Sequence, residues 1–209
     1  MTTTTLNKTA AQALLAHTQQ ASAAACAIGN AIDVSTKVGP AVAFVKMGRT
    51  TATALSNEVK FRLEGSAKTS GNDEWIPLYE WTSSSGKTTA SSTTLNGATT
   101  AGNATTLLTS GTGFVAGDHV YLRETGTPAN SEWSRVASIS TNTVTWEEVQ
   151  TRSHTTGIAA TDLAESWQIP FDTAGQTRVR LVVDTASAAS GQTVDVIAWL
   201  ITADSANTA

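Results

Sequence analysis

Strict alternation of apolar and polar residues governs this chain, and it comes in two blocks separated by a third segment of different character. In Glu58-Val59-Lys60-Phe61-Arg62-Leu63-Glu64 the apolar side chains fall on one side and the charges on the other. That period-two pattern is the signature of a strand with one buried face. Val179, Leu181 and Val183 alternate with Arg178 and Arg180, and Trp167, Ile169 and Phe171 are opposed by Ser166 and Gln168. The segment 75–81 is apolar on both faces, and its Pro77 predicts an edge strand or a bulge, because proline cannot donate to a sheet ladder. Residues 31–36 and 41–47 complete the first block. Residues 193–201, apolar on both faces near their end, predict a central or covered strand in the second.

Between the blocks, residues 83–103 contain almost no large apolar group and read as a loop or linker. Short strands then follow at 104–109, 118–124, 132–140 and 143–149. Ser140-Thr141-Asn142-Thr143 predicts a tight hairpin, with Asn142 as the residue that tolerates a positive φ. Gly111 to Gly117 should turn the chain around Phe114. The fold expected is all-β, a two-sheet sandwich of jelly-roll or immunoglobulin-like type. It carries a small β-barrel-like insertion. The domain reading is residues 1–30 as an N-terminal arm, 31–83 with 160–209 as a discontinuous sandwich, and 84–159 as the inserted linker and module. Within 1–30, the run Ala10 to Ala16 suits either two helical turns or an extended arm. Such an arm would pack on a neighbouring subunit or fray as a tail.

Chemistry is hard to place on this chain. Charged residues make up 14% of it and the net charge is −4, which offers no electrostatic basis for nucleic-acid binding. No apolar run approaches the length needed to cross a bilayer, and the N-terminus lacks the basic and apolar regions of a signal peptide. A soluble protein made in a reducing compartment is expected. Cys26, the single cysteine, reads as a small buried or semi-buried residue, with no base nearby to make it a nucleophile. His17, His119 and His154 have no ligand-like spacing, so no metal site is expected. Gly86-Lys87-Thr88 resembles the end of a phosphate-binding loop, but position 81 is Trp where that loop needs glycine.

The acidic residues are equally uninformative. Glu147 and Glu148, read as strand neighbours, would point to opposite faces and share no site. Asp73, Glu74, Asp162, Glu165, Asp184 and Asp195 can meet only across loops. Lys60, Arg62, Arg178 and Arg180 form either a basic stripe or, as preferred here, a solvated face with Glu58 and Glu64 as partners. The six tryptophans, Trp75, Trp81, Trp133, Trp146, Trp167 and Trp199, serve either as packing residues or as platforms for sugar rings, and packing is favoured because most align with other apolar residues. No catalytic, cofactor-binding or metal-binding residue is assigned.

The segments 104–108, 113–121, 135–139 and 142–145, carrying Phe114, Gly117, Asp118, Val120, Tyr121, Val136 and Val144, resemble small β modules that recur in tailed-bacteriophage virion proteins. The flanks 75–78 and 177–181 are similar to phage β-sandwich structural proteins. The resemblance implies a particle component without catalytic residues, found in the virion and assembled in the host bacterial cytoplasm. Within that class the expectation is an auxiliary capsid protein that decorates or cements the head. Its partners would be copies of itself in a homo-oligomer and the major capsid protein, with no nucleic acid, no membrane and no cofactor. A tail, neck or baseplate subunit is the alternative, and a carbohydrate- or receptor-binding module the second.

Overall fold

Sixteen strands in three antiparallel sheets build the chain, in a computed structural model that describes residues 5–20, 26–37, 39–50, 59–71, 74–83, 91–162, 164–185 and 193–206. The first block supplies β1 (Thr5–Lys8), β2 (Gln12–Gln20), β3 (Ala27–Ile28), β4 (Ile32–Asp33), β5 (Pro40–Arg49), β6 (Lys60–Ser66) and β7 (Ile76–Thr82). The middle segment supplies β8 (Ser92–Thr94), β9 (Thr105–Leu107), β10 (His119–Arg123), β11 (Glu132–Ser140), β12 (Thr143–Trp146) and β13 (Ala159–Thr161). The chain returns with β14 (Glu165–Asp172), β15 (Arg178–Asp184) and β16 (Val194–Ala206). A short 3-10 turn at Pro128–Asn130 is the sole helical element among the described residues, and no helix there is long and apolar enough to cross a membrane. The expected all-β, sandwich-like class holds.

Two of the sheets face each other across the main core. One runs β1-β16-β5-β14, with β2 also on β16; the other runs β3-β15-β6-β7, with β4 also on β15. Ala43, Val45, Met47, Val196, Ala198 and Leu200 from the first meet Phe61, Leu63, Val179, Leu181 and Val183 from the second. Burying each larger side chain of this set is worth roughly 1.5–3 kcal/mol relative to exposure. Trp81 stacks on Phe61 at 5.2 Å and Trp167 packs on it at 5.0 Å, closing one side of the core. Pro77 satisfies both of its readings. It lies on the outer strand β7, and the register shifts opposite it, between Leu63 and Glu64.

The N-terminal segment is extended where a helix was one of two options. β2 pairs with β16 of its own chain, and Leu14 and Leu15 are buried in the main core. Burial of those two leucines outweighs the helix preference of an alanine-rich run, since a helix there would have little to bury. Cys26 is exposed rather than buried, because it lies just ahead of the two-residue edge strand β3.

The third sheet, in the order β8-β13-β10-β11-β12-β9, encloses a separate core of Leu95, Leu108, Phe114, Val120, Leu122, Val136, Val144 and Trp146 with Ile158 and Ala160. It curls until its two outer strands meet: Leu95 bridges Leu108, and Thr94 and Thr109 bond through both backbone and hydroxyls. The stretch expected as a featureless linker therefore contains β8 and a core residue, Leu95. Residues 84–90, with Gly86-Lys87-Thr88, lie outside the described residues. Phe114 is buried in the turn between Gly113 and Gly117, both at positive φ. In the 140–143 hairpin the positive φ falls on Thr141, at 54°, and not on Asn142. Asn142 instead uses its side chain, accepting from the Gly111 amide at 2.9 Å.

Candidate functional site

The two outer faces of the sandwich differ in kind. On the β15–β6–β7 face, Glu64 accepts from Arg180 at 2.8 Å and from Arg62 at 3.2 Å. Arg180 and Arg178 lie over Trp75 at 4.1 and 4.9 Å, and Lys60 sits opposite Asp184. Glu64 is thus the partner of Arg62 and Arg180, as preferred from the sequence, but it is buried rather than solvated; Arg178 bonds the Lys68 and Gly71 carbonyls, and Glu58 lies outside the described residues. The opposite face, on β16 and β5, carries Val42, Phe44, Ile197, Trp199 and Ile201, all half-buried. The register sets Trp199 across from Phe44 and Ile201 across from Val42. A sheet with a solvated outer face alternates apolar and polar residues, and this one does not.

One end of that apolar face runs under the curled module, and a cleft of about 510 Å³ lies between them. Lys46, Ile197, Trp199 and Ser166 come from the sandwich sheet, while Trp133, Arg135, Glu147 and His119 come from the module side. Both Glu147 and Glu148 border this cleft, which corrects the expectation that they could not share a site. The reason is that β12 ends at Trp146, so neither residue is held to strand alternation. Arg135 bonds Glu147 at 3.1 Å.

A polar cluster fixes the module beside the cleft. The Tyr121 hydroxyl donates to Asp195 Oδ2 at 2.7 Å, and Arg123 Nε donates to the same oxygen at 3.0 Å. His17 Nε2 lies 3.1 Å from the Tyr121 oxygen. Because the single phenolic proton goes to Asp195, His17 must donate there, which fixes the Nε2–H form. Burial, reinforced by Asp195, pushes the Tyr121 phenol well above its ordinary range. Burial also lowers the His17 pKa, with Asp195 opposing and Arg123 assisting. Trp133 packs on Tyr121 at 4.6 Å, and His17 meets Trp133 edge-on at 6.2 Å. Gly48 is required beneath the ring: a Cβ there would lie 2.3 Å from Tyr121 Cγ. Thr161 adds a bond to the Arg49 carbonyl at 2.8 Å.

The remaining candidates are dispersed into structural roles. Buried Arg49 gathers Glu165, at 3.8 Å, with Asp162 close enough to act on its charge. Glu74 pairs with Lys68; Asp73 lies outside the described residues. His154 is buried in the module and bonds Glu132 at 3.0 Å. Burial pushes the Glu132 carboxyl up, but bonds from His154 and from the Thr151 amide and hydroxyl bring it below its ordinary value. His119 is exposed at the start of β10. Among the described residues no group of three or more His, Cys, Asp or Glu is placed to hold a metal ion.

The Tyr121–Asp195 cluster has one signal in the sequence: Asp195 interrupts the otherwise apolar run 194–201. Nothing in the sequence identifies its partner Tyr121, 74 residues away. No protein-family model, no curated protein and no solved structure matches the chain.

Proposed function

We propose that this chain is a structural subunit of a tailed-phage particle, an auxiliary head protein that decorates or cements the shell by protein–protein contacts and performs no catalysis. The observation that carries the proposal is the apolar outer face at Val42, Phe44 and Ile201, the part of the β5–β16 surface beyond the cleft. Its counterpart on the other sheet is covered with ion pairs, so the asymmetry marks one side of the sandwich for burial against another protein. Apolar surface of this kind drives association in proportion to the area removed from water. The resemblance of residues 104–145 and of the flanking strands to virion parts supplies the identity of the assembly, and copies of this chain with the major capsid protein are the partners.

Copy number and position in purified particles test the proposal, by gel densitometry and antibody-gold labelling. Abundance close to that of the major shell protein, with label over the head, is expected. A few copies along the tail or at one vertex would move the chain to the tail or neck, and absence from particles would overturn the proposal.

A further inference from the structure

Five of the six tryptophans have identifiable structural duties. Trp81 and Trp167 flank Phe61, Trp75 lies under Arg178 and Arg180, and Trp133 packs on Tyr121. Trp146 is buried in the module core and donates Nε1–H to Thr106 at 2.8 Å. Trp199 differs. Among the described residues its side chain has no ring contact, cation contact or hydrogen bond, and it lies half-buried in the cleft between sandwich and module.

We infer that this cleft binds a short neutral oligosaccharide, with one pyranose ring stacked on the Trp199 indole. A pyranose has a face of C–H groups and a rim of hydroxyls that both donate and accept. The cleft offers the matching set: an indole face, carboxylate acceptors in Glu147 and Glu148, and donors in Lys46 and Arg135. Its volume of about 510 Å³ falls within the range of roughly 300–1,000 Å³ usual for small-ligand sites. The surrounding charges narrow the choice. Lys46, Arg135 and Arg152 are outnumbered by Glu132, Glu147, Glu148 and Glu165, so no net positive field draws in a phosphate or polyanion. An acyl chain would strip water from the same charges without replacing its hydrogen bonds. A neutral polyhydroxyl ligand incurs neither cost.

The test uses the full chain. Maltotetraose, cellotetraose, tri-N-acetylchitotriose and an acidic control, tetragalacturonic acid, are titrated while tryptophan fluorescence and saturation-transfer NMR are followed. Binding of at least one neutral oligosaccharide with Kd below about 10 mM is expected, with an affinity loss of tenfold or more in Trp199→Ala and none in Trp75→Ala. Trp199 is on the outer face, so its variant should fold, as a thermal melt would verify. If it does not, Lys46→Met serves instead, and a loss of at least threefold is expected. Absence of binding by every neutral probe, binding of the acidic probe alone, or unchanged affinity in the cleft variant would overturn the inference. None of these outcomes bears on particle location, so this inference and the structural role fail separately.

Discussion

Tyr121 and Asp195 are joined by a 2.7 Å hydrogen bond between the third strand of the curled module and the central strand of the sandwich sheet. Both side chains are buried, and Arg123 and His17 complete the cluster from the module and from β2. The cluster therefore unites β2, the C-terminal strand and the inserted segment at one point. The cleft lies beside it, so the position of the cleft wall depends on this contact. In a surrounding of low dielectric, a bond to a carboxylate is stronger than its counterpart in water, and its loss costs correspondingly more.

Tyr121→Phe should lower stability by about 1.5–3 kcal/mol, because it removes a donor from a buried carboxylate while leaving the ring's packing intact. Urea denaturation with the m-value held constant measures this. A change within the error of the wild type would show that the hydroxyl is not holding the module in place.

Gly48→Ala addresses the same junction from the backbone side. A methyl group there would meet the Tyr121 ring at 2.3–2.7 Å, and the ring is fully buried and cannot swing clear. Overpacking of this kind costs about 1–3 kcal/mol. Combining Gly48→Ala with Tyr121→Ala, which removes the ring, should recover part of the Gly48→Ala penalty in a double-mutant cycle. Full additivity would rule out the steric account.

Much of the sandwich is legible in the sequence, because burial of one face imposes period two on strands such as Lys60–Ser66 and Arg178–Asp184. The curled sheet is less so. Its outer strands β8 and β9 have three residues each, too few for alternation to register, and Leu95 is a single apolar residue in a run of Ser and Thr. The 140–143 hairpin is legible in place but not in detail, since Asn142 acts through its side chain rather than its φ. Contacts between units leave still less trace. Gly48 falls just past the strand expected over 41–47 and has no visible duty until the Tyr121 ring is seen against it, and Glu147 and Glu148 enter the cleft because β12 stops short of them. Of the six tryptophans, the predicted packing role is visible for five, while Trp199 lies in a run that is apolar on both faces, where nothing in the sequence marks which face is covered.

Acid should weaken the junction through His17. Its pKa in the folded protein is lowered from the ordinary 6.5, chiefly by burial, so below that value the unfolded chain takes up the proton first. Stability then falls as pH drops from 6.5 toward the lower folded value and is independent of this group above 6.5. Glu132 acts in the same direction but lower, its folded pKa lying below the ordinary 4.5. Melting temperatures of wild type and His17→Gln, measured from about pH 7.5 to about 5.5, should separate the two. The wild type should decline on acidification and the variant should decline less, while parallel curves would remove His17 from the pH response.

Phe44→Asp tests whether the apolar outer face serves assembly. Phe44 sits opposite Trp199 on β16 and Gln168 on β14, facing outward from the core. A charge there leaves the inner face of β5 untouched, and substitutions at such strand positions span about 1 kcal/mol. The variant should therefore fold and melt close to the wild type. It should nevertheless fail to join particles, because burying an unpaired carboxylate against a neighbouring apolar surface costs several kcal/mol in practice. Sedimentation of the purified variant with particles lacking the wild-type chain measures the outcome. Co-sedimentation equal to wild type would show that this face stays in solvent in the particle, and the contact surface would have to be sought elsewhere on the chain.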